Sequence, residues 1–217
     1  LLMLAVLFFV FSSMFKFEIE NFPIYLLSGI ITYNFFKNGT TIALSSLSNR
    51  SSLITQIYFP RSIPAISSTF TASIMLIVEL AVLGAFMVYF QFTPSLTILY
   101  LIPIYVLAFV LVLGIALGLS VLNVKFRDIE FIWGIVLHAG FFLTPIFYQF
   151  KMLPEEIQNI LQLSPVVQIV EMVHHVTLYG TLPSLNSVLY SVGSIFAILG
   201  IGYLIFRKYQ ARIVEEL

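Results

Sequence analysis

Four stretches of this chain, residues 63–90, 96–124, 129–148 and 188–206, stay apolar for the 20 or so residues an α-helix needs to cross a bilayer. The first is interrupted by Pro64, Glu79 and scattered Ser and Thr, and the second carries no full charge. Backbone polar groups in lipid must be satisfied internally, so runs of this length are expected as membrane-spanning helices. Residues 25–47 form a further apolar stretch with several small and hydroxylated side chains, closing in the polar run 45–52. Residues 1–15 are apolar but reach only about 22 Å. They lack the basic start and small-residue cleavage site of a signal peptide, and are read as the outer part of a first span that begins before residue 1.

Composition agrees with this count. Of 217 residues, 60% are apolar and 9% charged, whereas a soluble domain is near half apolar and about a quarter charged. Lipid must solvate the excess. Ten Lys plus Arg balance ten Asp plus Glu, so there is no strongly basic surface and nucleic acid is not an expected partner. Without cysteine there is no disulfide framework, thiolate nucleophile or Cys-based metal site.

Residues 157–179 are long enough to cross but hold Gln158, Asn159, Gln162, Pro165, Gln168, Glu171, His174 and His175. One charge near a helix centre costs about 2.5–3.5 kcal/mol on the insertion scale, so this segment is not expected to span. It is expected as two short amphipathic helices, 154–163 and 165–179, split at Ser164-Pro165 and lying at the interface or dipping in and out. Charge bias supports that choice. Arg50, Arg61, Lys125, Arg127, Arg207, Lys208 and Arg212 fall on one side, with Lys16 and Lys151 on the other. By the positive-inside rule both termini are cytoplasmic. The expected fold is therefore an all-α integral membrane protein in one domain, residues 1–217. It has six transmembrane helices, the first N-terminally truncated, and two short helices within 151–187.

No phosphate-binding G-x-x-x-x-G-K-[ST] loop, G-x-S-x-G elbow or H-E-x-x-H motif occurs, so no catalytic residue, cofactor site or metal site is assigned. Glu171, His174 and His175 form the one dense titratable group, and Glu171 is one turn from both histidines. An interfacial polar face is the favoured reading, with a binding role as the alternative. Glu155 and Glu156 suit the start of a helix after Pro154 through its dipole.

Ionisable groups inside spans are costly and are functional candidates, which singles out Lys37 and Glu79. At about 1.5 Å per residue Lys37 lies roughly 18 Å below the outer face and Glu79 some 4–6 Å below it, too far apart to pair. Lys37, beside Asn34, Asn38, Thr40 and Thr41, either faces a hydrated wall or snorkels to the inner surface. Glu79 is either a helix contact or reaches the headgroups. Gly114 and Gly118 have the G-x-x-x-G spacing that lets helix backbones approach, and packing alone accounts for them. Aromatic residues, with 22 Phe and 11 Tyr, are the most prominent excess. Lipid-facing rings and interfacial belts explain most of them. The groups Tyr33, Phe35, Phe36 and Phe141, Phe142, Phe147, Tyr148 flank small or polar residues and are candidates for lining a path along which sugar rings could stack.

Asn49-Arg50-Ser51-Ser52-Leu53-Ile54-Thr55-Gln56-Ile57-Tyr58-Phe59-Pro60-Arg61 places Leu53, Ile54, Ile57 and Tyr58 on one helical stripe, with Phe59-Pro60 as its stop. This segment, 49–61, resembles the cytoplasmic coupling helix of ABC-type exporter permeases for cell-surface polysaccharides. Lys125-Phe126-Arg127-Asp128 and Phe141-Phe142-Leu143-Thr144-Pro145-Ile146-Phe147-Tyr148 are similar to two further recurring stretches of that family. So are Leu153-Pro154, Ser164-Pro165 and Tyr179-Gly180, although Ser164 stands where the family has Asn.

The resemblance covers essentially the whole chain and implies a permease for lipid-linked O-antigen or teichoic acid in the bacterial inner membrane. It implies a homodimer forming a channel, with two separate ATPase subunits that carry ATP and Mg. Those subunits would dock on Asn49, Arg50, Leu53, Ile54, Ile57, Tyr58, Phe59, Pro60, Arg61, Arg127 and Asp128. Lys37 and the two aromatic groups would line the path, and Pro154, Pro165, Glu171, His174 and His175 would belong to an outer gate. Two other readings stay open: an ABC exporter of drugs or simple lipids, and a membrane-embedded enzyme or scaffold acting on lipid-linked substrates.

Overall fold

The computed structural model describes residues 21–47, 60–126 and 128–210. Every regular element among them is helical: α1 (Phe22–Leu44), α2 (Ile63–Tyr89), α3 (Leu101–Lys125), α4 (Ile129–Leu143), α5 (Glu155–Leu161), α6 (Pro165–Thr177) and α7 (Leu185–Tyr209). Short 3₁₀ turns at Leu96–Tyr100 and Phe150–Met152 lead into α3 and α5. Three helices among the described residues are long and apolar enough to cross a membrane: Ile63–Tyr89, Leu96–Lys125 and Leu185–Tyr209.

At 23 residues α1 is about 34 Å long and could also cross, yet no 18-residue stretch of it is as apolar as those in the three. Its position explains the difference. Helices α2, α3 and α6 pack around α1, and 16 of its residues are buried, so protein rather than lipid surrounds Ser28, Thr32 and Thr40. Each hydroxyl there finds a partner: Ser28 donates to Tyr25 O, Thr32 to Ser28 O and Thr40 to Phe36 O. Glu79 on α2 is half-buried and interacts with Asn34 of α1, which makes it a helix contact. Helix α2 runs on to Tyr89, leaving Glu79 about 15 Å inside its end.

Helices α3 and α7 pair the most extensively, and glycine makes this possible. A side chain at Gly202 would collide with the carbonyl oxygen of Gly114, and one at Gly114 would come within 2.7 Å of the Leu199 backbone. Close backbone approach is thus the role of the G-x-x-x-G spacing.

Helix α4 stops at Leu143, short of the expected 148. Pro145 disfavours helical geometry at Thr144, which is extended (φ −80°, ψ 136°). The chain then turns back, and Tyr148 Oη donates to Leu143 O at 2.7 Å, satisfying a carbonyl that the helix end leaves open.

Helix α6 packs against α1 and α3, with 8 of its 13 residues buried. Its two faces explain this: Val167, Ile169, Val170, Val173 and Val176 turn inward, while Gln168, Glu171 and His175 remain partly open.

Candidate functional site

Three groups of candidate residues can be placed. The first is the aromatic set. Rings follow one another along the seam of α1 and α4: Trp133 to Phe36 at 6.2 Å, Phe36 to Tyr33 at 6.1 Å, Tyr33 to Phe141 at 5.4 Å, Phe141 to Phe147 at 6.2 Å and Phe147 to Tyr148 at 5.1 Å. Two of these contacts, Tyr33 with Phe141 and Phe147 with Tyr148, are edge-to-face, an arrangement that stabilises a pair by about 0.5–1.5 kcal/mol beyond burial. Two hydrogen bonds hold the series in register, Tyr33 Oη donating to Leu137 O at 2.5 Å and Trp133 Nε1 to Thr40 Oγ1 at 3.1 Å. Gly140 leaves room for the Tyr33 hydroxyl, which would lie 2.8 Å from a side chain there.

Beside this series is a cleft of about 190 Å³ bounded by Tyr33, Asn34, Lys37, Leu137, His138, Phe141 and Phe142. Lys37 is exposed at its edge, and Phe142 is 61% exposed. The cleft combines aromatic faces with an ammonium, an amide and an imidazole. Phe35 is not part of it: that ring is buried on another face of α1, edge-on to Tyr105 at 6.5 Å. Trp133 and His138 were overlooked in the sequence. His138 could have been found by the rule that singled out Lys37, because it too is an ionisable group within an apolar run.

The second group is the gate set. His174 is fully buried and stacks on Tyr25, with ring centroids 3.8 Å apart and planes at 23°. Its Nε2 lies 3.2 Å from Tyr25 O, and its Nδ1 lies 3.8 Å from Glu171 Oε1. Tyr25 in turn donates to Pro145 O at 3.1 Å and Tyr148 O at 2.6 Å, so this one hydroxyl ties α1 to the chain reversal after α4. His175 points the other way, as adjacent helical residues do, and its Nδ1 meets Thr181 Oγ1 at 2.9 Å. Burial pushes the His175 imidazole below its ordinary pKa, against the pull of Glu171. Glu171 and His175 open on a polar cleft of about 460 Å³, shared with Gln162, Gln168, Thr181 and Ser187. Pro154 caps α5 in an extended conformation and Pro165 occupies the first turn of α6, the positions where a missing N–H costs nothing. Glu155 and Glu156 sit in the first turn of α5, as the dipole favours.

The third group is the docking set, most of which (Asn49, Arg50, Leu53, Ile54, Ile57, Tyr58, Phe59 and Arg127) lies outside the described residues. Pro60 and Asp128 are exposed. Arg61 Nη1 donates to Gln210 O, and Lys125 Nζ sits 4.9 Å over the Tyr209 ring. The ends of the two loops therefore meet the far end of α7, where Arg207 and Lys208 add positive charge.

Sequence comparison agrees with this architecture. Two proteins of Klebsiella pneumoniae named O-antigen export system permease protein RfbA are 29% and 27% identical to this chain, each over its whole length and 84% of the relative. A protein of that name from Myxococcus xanthus is 28% identical, covering 73% of this chain and 62% of the relative. Residues 1–178 match the ABC-2 type transporter family, which is most of a chain already seen to be an all-helical membrane protein. On that match, the chain is a transport permease belonging to the ABC-2 type transporter family.

Proposed function

We propose that this chain is the permease subunit of an ATP-driven exporter of a lipid-linked polysaccharide, of the O-antigen or teichoic-acid type, in the bacterial inner membrane. The observation that carries this reading is the exposed Phe142 ring in the Lys37 and His138 cleft, backed by the aromatic series from Trp133 to Tyr148. Ring faces stack on the apolar faces of sugars weakly and repeatedly, so a chain can be held at many points and still slide. The names of the Klebsiella relatives support the same cargo class.

In this reading two copies form the channel and both termini are cytoplasmic. Two separate ATPase subunits bring ATP and Mg, and this chain holds neither. They grip the coupling helix at 49–61 and the turn at Arg127 and Asp128. Closure of the ATPases pushes on those loops. The force passes into α2 through Pro60 and Arg61 and into α7 through the Arg61 contact with Gln210. At the other end the segment 151–187, with α5 and α6, gates the exit.

Export assays test both halves. Phe142→Ala removes an exposed ring from the cleft and is expected to lower polymer export several-fold with normal protein levels, whereas Phe35→Ala on the buried face should lower protein levels first. The pair Tyr58→Ala and Phe59→Ala should leave ATP hydrolysis running in the assembled complex while export stops. Unchanged export in Phe142→Ala and in the loop variant would overturn the reading. Export of a drug in place of the polymer would redirect it to the other cargo class.

A further inference from the structure

A second, apolar groove of about 350 Å³ lies against the polar cleft of Glu171 and His175, and the two share Met172, Leu182 and Pro183 as a common wall. Each falls within the roughly 300–1,000 Å³ range of small-molecule sites. The first turn of α7 runs along the boundary, with Ser184 and Ser187 on the polar side and Leu185 and Val188 on the apolar side. A cavity that is oily in one half and wet in the other, at the end of the bundle where α3 and α7 begin, fits an amphiphile.

The polar half selects the headgroup. Among the described residues Glu171 is the one carboxylate lining it, and no Lys or Arg lines it. Among the described residues the carboxylate of Glu171 has one close partner, His174 Nδ1 at 3.8 Å, which leaves its lone pairs open to a donor. Burial lowers the pKa of His175, which favours its neutral form. Lys151 acts on His175 from nearby but does not line the cleft. A carboxylate amid amides and hydroxyls favours a primary ammonium, which donates three hydrogen bonds, and disfavours an anionic headgroup.

We propose that this double cavity binds one membrane phospholipid with a primary-ammonium headgroup. The ammonium meets Glu171, one acyl chain lies in the groove against Val188 and Leu182, and the phosphodiester crosses the boundary at the first turn of α7. There Ser184 Oγ caps the helix by accepting from Ser187 N–H at 3.2 Å and pairs with the Ser187 hydroxyl at 2.8 Å, while the N–H groups of Leu185 and Asn186 have no partner within the helix. The lipid would bridge α3, α6 and α7, and so tie the position of the short inserted helix to the state of the bilayer. Nothing in this proposal depends on which cargo is exported.

The test is native mass spectrometry of the purified full chain in detergent, with competing lipids of identical acyl chains. The probes are phosphatidylethanolamine, phosphatidylcholine, phosphatidylglycerol and monoglucosyl diacylglycerol. Phosphatidylethanolamine should be retained about tenfold over the other three, the effect of one charge-assisted contact. Glu171→Gln should bring the four lipids to near parity. Val188→Trp should fill the groove and reduce retention of every lipid, and Leu182→Trp does the same from the loop should the first variant fail to fold. Equal retention of phosphatidylglycerol by the unaltered chain, or a preference that survives Glu171→Gln, overturns the proposal. Stronger retention of the glucolipid overturns it too. The measurement uses neither ATP nor polymer, so its outcome and that of the export assays can be told apart.

Discussion

Helices α1 and α7 have similar lengths and opposite fates. Among the described helices α1, with its less apolar stretch, is the most enclosed, with 16 of 23 residues buried. The more apolar α7 buries 4 of 25, among them Ser191 and Gly202. In water the ranking would be reversed. In a bilayer the solvent is as apolar as leucine, so hydrophobicity does not drive a helix inward, whereas unsatisfied hydroxyls and amides do. What holds each helix differs accordingly. Helix α1 is fixed by side-chain hydrogen bonds and ring stacking, and α7 by backbone contact through a gap that only glycine permits.

The strongest way to break this comparison is at the glycine seam. Gly202→Ala places a methyl group against the Gly114 carbonyl, where neither backbone can move aside cheaply, and overpacking of this kind costs about 1–3 kcal/mol or more. A marked fall in thermal midpoint and in monodisperse yield is expected. Gly200→Ala, two residues away with no atom within 4 Å of the new methyl, should behave as the unaltered protein does. Similar behaviour of the two variants would end the case for backbone contact.

On the α1 side, Tyr25→Phe keeps the ring stacked on His174 but removes both hydrogen bonds to the chain reversal, for an expected loss of about 1–3 kcal/mol. The matching change on α7, Tyr203→Phe at a side chain 53% exposed, should fall within error in the same thermal melt. Equal effects would mean that polar contacts are no more important at the centre of the bundle than at its surface.

The smallest effect concerns pH. The folded protein holds His175 below its ordinary pKa of 6.5, so the unfolded chain takes up that proton more readily. The linked stability is fully present above pH 6.5 and is lost as pH falls through the lowered value. Glu171, Lys151 and His174 all act on this imidazole, so the reading is a difference between two proteins. Thermal midpoints measured from pH 8 to 5 should fall further for the unaltered protein than for His175→Gln. Parallel curves would show that this imidazole has no part in the pH response.

The apolar runs announced the helical membrane fold because length and polarity alone decide whether a segment can sit in lipid. The same arithmetic kept 157–179 from being read as a span. The Thr144-Pro145 step determined where α4 would stop, since its constraint is steric and local. The candidate set was legible in part: Tyr33, Phe36, Phe141, Phe142 and Lys37 do meet along one seam, while Phe35, from the same cluster, turns to another face. Which helix would occupy the centre, and that Tyr25 would reach across to Pro145 and Tyr148, rested on contacts between residues more than 100 apart in sequence. Sequence by itself settled what each segment could tolerate as surroundings. Only the tertiary packing chose those surroundings, because in lipid the choice turns on which polar and which small faces find one another.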